Sequence, residues 1–285
     1  MSDTRQVAGI LRGKATMEGA GVRLKRIFGY NEAPRLDPFL LFDHFGSDTP
    51  DDFIAGFPWH PHRGIETVTY MLHGSVEHGD SIGNKGVIGS GDVQWMTAGS
   101  GIIHQEMPQR GDGSLDGFQL WVNLPASKKM TDPRYKEVLA ADIPEAEVGN
   151  HVKVKVISGS IGGVTGPVTD IIVDTIYLDV SMAPMTQFDY PLGKHYAACA
   201  YVIEGAGYFD SKRAESIERE HLVIFQDGGA VHIITKSEPM RFLFIAGEPI
   251  GEPIAWRGPI VMNTDEELKQ AFEEYRNGTF IKDRD

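Results

Sequence analysis

Apolar residues in this chain come mostly in short runs of β type, among them Ile65–His73, Val93–Met96, Phe118–Val122, Val152–Ile157, Thr175–Val180, Leu222–Phe225 and Phe242–Ile245. Gly, Asp and Asn interrupt them, which is the pattern of an all-β chain, sandwich or barrel. With 33 glycines and 16 prolines in 285 residues, the chain has turn formers in a number that a helical bundle does not need. One helix is expected, near the end. Thr264 and Glu267 form a capping box, and Leu268, Ala271, Phe272 and Tyr275 fall at i, i+3, i+4 and i+7 before Gly278.

An internal repeat and the length both point to two domains. Tyr70-Met-Leu-His-Gly74 resembles Tyr201-Val-Ile-Glu-Gly205 at an offset of 131 residues. Ala98-Gly-Ser-Gly-Ile-Ile-His104 loosely resembles Asp227-Gly-Gly-Ala-Val-His232 at 128. Two correspondences at nearly one offset suggest a duplicated β-domain, with the boundary between Ala140 and Asn150, where Pro144 and three acidic residues break the β pattern.

The formal charge of −13 argues against nucleic acid or an anionic membrane as main partner. Cys199 is the only cysteine, so no intrachain disulfide can form, and its small apolar surroundings favour a buried structural thiol over a nucleophile. No apolar run approaches the ~18 residues of a membrane span, and the first 14 residues lack the apolar stretch of a signal peptide. The expectation is a soluble, cytoplasmic protein.

The chemistry concentrates in the first half. Trp59-His60-Pro-His62-Arg63-Gly64 places two histidines at i, i+2, and His104-Gln-Glu106 places a histidine and a carboxylate at the same spacing. On a strand, both members of each pair face one way, about 7 Å apart. If the two strands lie side by side, four side chains stand at the corners of a rectangle of roughly 5 by 7 Å. From there they can converge on one ion at about 2.0–2.2 Å. Three neutral nitrogens and one carboxylate, without thiolate, suit Fe, Ni, Co, Mn or Cu better than structural zinc. A lone His-X-His is more often a surface or hydrogen-bonded pair; it is the two motifs together, each flanked by glycines, that favour the metal. Gly99 and Gly101 permit the tight turns that would direct His104 inward. Glu66, four residues beyond His62, is a rival carboxylate, but on a straight strand it stands about 13 Å away unless Gly64 bends the chain. Arg63 alternates to the opposite face and suits a structural salt bridge. His44, His73, His78, His151 and His221 have no partner at ligand spacing, and Gly79–Gly86 reads as a hairpin turn.

Two longer blocks carry a family resemblance. His60-Pro-His-Arg-Gly-Ile-Glu-Thr-Val-Thr-Tyr70 and Gly91-Asp-Val-Gln-Trp-Met-Thr-Ala-Gly-Ser-Gly-Ile-Ile-His-Gln-Glu-Met-Pro108 resemble the signature blocks of the pirin family, a branch of the cupins. Gly251–Thr264 extends the likeness toward the end of the chain. Thr97 replaces a proline usual in cupins, and four residues rather than two separate Gly99 from His104; both departures are themselves pirin-like.

The resemblance implies two tandem cupin β-barrel domains, a bicupin, with a short C-terminal helix. The metal-binding domain would span residues 1–140, and a C-terminal domain without metal, plus the helix, residues 150–285. His60, His62 and His104 match the family's imidazole ligands and Glu106 its carboxylate ligand, for one divalent ion, iron first, with nickel, cobalt, manganese or copper as alternatives. The repeat agrees with that asymmetry: the offset of 131 carries His60 and His62 to Pro191 and Gly193, and that of 128 carries Glu106 to Ile234. Only His232 survives, with His195 nearby.

The family also implies a dioxygenase of the quercetinase type, opening the central ring of a flavonol with O2, with Glu106 as catalytic base. Phe53, Phe57, Trp59 and Met96 could form an apolar mouth for a flat aromatic ligand, although core packing is the plainer reading for each. Two other classes remain: a redox-responsive metal protein acting on a protein partner, as some eukaryotic relatives act on transcription, and a metal-dependent isomerase or hydrolase that needs no O2.

Overall fold

The computed structural model describes residues 4–111, 113–149, 151–213 and 215–282, so Asn150, at the expected boundary, lies outside the described residues. The chain is mostly strand, with one helix of any length, and it forms two cupin barrels. Each barrel pairs a seven-stranded with a four-stranded antiparallel sheet, in the same strand order except for one outer strand of the large sheet, Arg134–Val138 in the first barrel and Val7–Arg12 in the second. That shared topology is the physical content of the sequence repeat.

The first barrel comprises Lys14–Asn31, Phe39–Ala140 and Ile250–Asp285; the second comprises Met1–Gly13, Glu32–Pro38 and Ala141–Pro249. The expectation of contiguous halves did not include these crossings. Strand Val7–Arg12 completes the second barrel's large sheet by pairing with His221–Phe225. The terminal helix, Asp265–Asn277, belongs to the first barrel, where Leu268 and Ala271 pack with Ile260, Met262 and Phe280. Both ends of the helix form as its sequence dictates: Thr264 Oγ1 accepts from the Glu267 amide at 3.2 Å, Glu267 Oε2 accepts from the Thr264 amide at 3.1 Å, and Gly278 takes φ of 75°. Tyr275, expected on the buried stripe, is 38% exposed and meets Phe280 only edge-on.

In the second barrel the space between the sheets is filled. Val156, Leu178, Ala200, Val223, Phe242 and Phe244 are all fully buried in one cluster, each large side chain contributing about 1.5–3 kcal/mol by leaving water. Cys199 is fully buried beside it, and burial pushes its thiol up to about 12. Thiol reagents should therefore leave the folded protein unlabelled and react with one equivalent only after denaturation; rapid labelling of native protein would contradict this placement. Among the described residues, no helix is long and apolar enough to cross a membrane.

The first barrel is hollow. Its large sheet runs, in spatial order, Arg134–Val138, Val93–Thr97, Ile65–His73, Leu115–Asn123, Phe39–Ser47, Val22–Phe28 and Lys14–Glu18. Its small sheet runs Phe57–His62, Ile102–Pro108, Val76–Asp80 and Lys85–Ile88. A cavity of about 640 Å³ opens within this barrel.

Candidate metal centre

The two motif-bearing strands are neighbours, but the four side chains do not form a rectangle. His104 faces His60 directly, His62 faces Ile102, and a bulge between His104 and Glu106 sets Glu106 opposite Phe57. In this antiparallel register the two pairs overlap by one residue. The imidazoles still converge, because the arms are long enough to close the offset: ring centroids of His60 and His104 are 4.3 Å apart, those of His62 and His104 5.0 Å, and one nitrogen from each of the three lies within 4.8 Å of the others.

Chain direction around the trio is held by two glycines. Gly99 at φ 50° lies where an added Cβ would stand 2.1 Å from the Thr131 carbonyl oxygen. Gly64 at φ 78° would meet Val261 O at 1.9 Å, and it turns the chain from the small sheet into strand Ile65–His73 of the large one. Lys129 holds that turn from beneath, its ammonium donating to Gly64 O at 2.9 Å, Asn123 Oδ1 at 2.7 Å and Val261 O at 3.2 Å. Glu66, carried onto the other sheet, accepts from Trp95 Nε1 at 3.1 Å and Thr97 Oγ1 at 2.7 Å. Arg63 makes the salt bridge expected of it, to Glu274 at 2.8 Å.

Hydrogen bonds fix the tautomers of two rings. His60 Nδ1 lies 2.8 Å from the Pro58 carbonyl oxygen and His62 Nδ1 3.1 Å from that of Pro259. A carbonyl only accepts, so both Nδ1 atoms carry the proton and both Nε2 atoms present lone pairs. Those Nε2 atoms stand 3.1 Å apart. Two lone pairs so close repel unless a cation lies between them, and two ligands at about 2.1 Å and a right angle would stand about 3.0 Å apart. His104 is wholly buried with neither ring nitrogen bonded among the described residues, and a bound ion would satisfy one of the two. Burial lowers all three pKa values, those of His62 and His104 strongly, with mutual repulsion among the rings adding to it for His62 and His104 and repulsion from His78 for His60. Neutral imidazoles are what a metal requires, so the residues fit a divalent transition ion.

Glu106 lies on the inward face of its strand with His104, 9% exposed, and lines the cavity. Burial pushes its carboxyl up to about 7, against a hydrogen bond from Thr69 Oγ1 at 3.1 Å. Its cross-strand neighbour on the other side is His78, which the sequence reading passed over. His78 is fully buried, stacks on Tyr135 at 4.9 Å and sits 5.5 Å from His104. The signal was present as His78-Gly-Asp80, the same i, i+2 spacing, hidden at the start of a segment read as a turn; the turn itself occupies only the residues between Val76–Asp80 and Lys85–Ile88.

Of the four aromatic and sulfur side chains expected at the mouth, only Phe57 lines the cavity. Trp59 alternates outward and is 53% exposed, Phe53 belongs to a core cluster, and Met96 is fully buried. Their place is taken by Trp121, edge-on to His62 at 5.0 Å, then Trp256 at 6.0 Å from Trp121, then the exposed Tyr30.

In the second barrel, His232 faces Asp189 and Ala230 faces Pro191. Register therefore sets Asp189 and Pro191, rather than Pro191 and Gly193, at the positions of His60 and His62. His232 Nδ1 is bound to Asp189 Oδ1 at 2.7 Å. The true offset in this strand is two residues shorter than in the one holding Tyr201, because the intervening loops differ in length.

Both barrels have counterparts in known proteins. The Pirin family profile matches residues 21–122, and that of the pirin C-terminal cupin domain matches residues 177–281. A pirin-like protein of Caulobacter vibrioides is 45% identical over 277 residues, covering 97% of this chain and 99% of its own. Pirin-1 of Arabidopsis thaliana is 45% identical over 267 residues, covering 93% and 90%. A crystal structure of quercetin 2,3-dioxygenase from Acinetobacter baumannii superposes with a TM-score of 0.89 at 31% identity, covering 97% and 98%. With both barrels matched in order and the likeness running almost end to end, the chain belongs to the pirin family of bicupins.

Proposed function

We propose that this protein is a metal-dependent dioxygenase that opens the central ring of flavonols such as quercetin with O2, releasing carbon monoxide. The observation that carries the reading is the pair of His60 and His62 Nε2 atoms facing each other at 3.1 Å beside the orphaned His104, at the head of a cavity large enough for a flat aromatic molecule. Similarity to a quercetin 2,3-dioxygenase over nearly the whole chain supports the substrate class.

His60, His62 and His104, which converge, would hold one divalent transition ion, iron first, and Glu106, outside that group of three in this structure, would complete the set as its carboxylate. Such an ion supplies a Lewis acid with open positions for oxygen ligands. Pro58 and Pro259 keep two of the imidazoles in the ligating tautomer through their carbonyl oxygens. Glu106, buried on the cavity wall, takes the proton of the substrate's ring hydroxyl. Thr69 orients that carboxyl. Trp121 and Phe57 flank the space into which the aromatic rings fit and keep bulk water from it.

Two measurements test this. Protein purified without added metal should contain one transition ion per chain, since the second barrel offers only His232 and Asp189 at the matching positions; two tightly held ions would defeat the assignment. Dioxygen uptake should accompany quercetin loss and stop after chelation. Equal product with and without O2 would instead point to an isomerase or hydrolase.

A further inference from the structure

The large sheet of the first barrel carries a row of polar residues straight across its middle. Arg26 faces Asp43, Asp43 faces Gln119, Gln119 faces Thr69, and Thr69 faces Gln94. Asp43, Thr69 and Gln94 are each at most 5% exposed. The second barrel is an internal control, because the five matching strands of its large sheet lie in the same order and Ala200, just before the repeated Tyr201, stands where Thr69 stands before Tyr70. Its corresponding row is Val156, Leu178, Phe244, Ala200 and Val223, apolar throughout. The fold therefore does not need polarity here, and burying it costs stability that an apolar row would not lose. Arg26, Asp43, Gln119 and Thr69 line the cavity.

The row's chemistry describes what it would hold. Arg26 is neutralised on both sides, donating to Asp43 at 2.9 and 2.8 Å and to Glu18 at 2.8 Å. With Glu18, Asp43 and Glu106 against one arginine, the walls disfavour an anionic ligand. Thr69 has one hydroxyl proton within reach of two acceptors, Gln119 Oε1 at 2.7 Å and Glu106 Oε1 at 3.1 Å. With the Gln119 amide oxygen turned toward Thr69, one acceptor is left that a ligand hydroxyl can satisfy.

We propose that this row is a recognition ladder for an uncharged, planar ligand with several hydroxyl groups, in which Gln119 and Asp43 determine specificity by reading hydroxyls remote from the one that Glu106 deprotonates. The inference rests on the flavonol reading and adds to it the residues that choose among flavonols. A site built to hydrogen-bond hydroxyls discriminates strongly against a ligand lacking them, because its own polar groups are then left unpaired.

The test compares quercetin with 3-hydroxyflavone, which keeps the ring hydroxyl and lacks the remote ones. Binding to metal-loaded full-length protein is followed by quenching of tryptophan fluorescence, with dioxygen uptake recorded on the same samples. Wild type should bind quercetin at least tenfold more tightly than 3-hydroxyflavone. Gln119→Leu, which copies the apolar character of Phe244, should reduce that ratio to threefold or less by weakening quercetin alone, and Asp43→Asn should lower quercetin affinity severalfold. An unchanged ratio in both variants, equal weakening of both ligands, or no preference in wild type would overturn the ladder. Uptake with an unmoved ratio defeats this inference and spares the dioxygenase; a ratio that moves as expected without uptake does the reverse.

Discussion

Glu106→Gln should lower the rate of flavonol ring opening by ~10²–10⁴-fold, the range over which a positioned base contributes, and should weaken metal retention as well. The amide keeps the shape and the neighbourhood of Thr69, but it can neither take the substrate proton nor bring negative charge to three neutral imidazoles. Its control is Glu66→Gln. Glu66 already accepts from the Trp95 indole and the Thr97 hydroxyl on a different sheet, so an amide there turns two donors toward a group that can accept with only one of its atoms. That variant should lose about 1–3 kcal/mol of stability and retain metal and turnover. Steady-state rates with metal analysis of both proteins decide between the two carboxylates; loss of metal from Glu66→Gln alone would transfer the role.

Glu274→Gln should destabilise the folded protein by about 3 kcal/mol, read by urea unfolding near pH 7. The reason is Arg63, whose side chain is only 2% exposed, whose Nη1 meets Glu274 Oε2 at 2.8 Å and whose Nη2 donates to Phe280 O at 2.9 Å. Removing the carboxylate leaves a buried guanidinium beside His62 with an aromatic face and a carbonyl but no counter-charge. Burial by itself would raise the Glu274 carboxyl; bonds from Lys282, Gln270 and Arg63 outweigh it and bring the group from 4.5 to about 2. The folded value lies below that of the unfolded chain, so the stabilisation is present above about pH 4.5 and is lost as the pH falls toward 2. Wild type should show that decline, and the variant should show a shallower one. Because the pair ties the terminal helix to the strand end that carries His62, metal affinity should fall in parallel with stability.

The sequence by itself determined the class of fold, the duplication, the caps of the terminal helix and the three histidines. Each of these is a local signal: period-two apolar runs, a capping box with its glycine, and i, i+2 spacing that puts both imidazoles on one face of a strand. The buried thiol and the salt bridge of Arg63 were legible for the same reason, from a small apolar neighbourhood and from strand alternation.

Tertiary structure decided what depends on which strand lies beside which. Register placed Glu106 opposite Phe57 and His78 instead of at the corner of a rectangle, and it moved the second barrel's counterparts to Asp189 and Pro191. Contacts between residues far apart in sequence drew the terminal helix into the first barrel and brought Trp256 and Pro259 to the site, whereas Trp59 and Met96, expected at the mouth, do not line the cavity. The polar row from Arg26 to Gln94 comes from five separate strands and leaves no pattern in any one of them. It exists only because antiparallel pairing lines up single residues from each strand, and a one-residue slip in any strand would turn its member to the other face of the sheet.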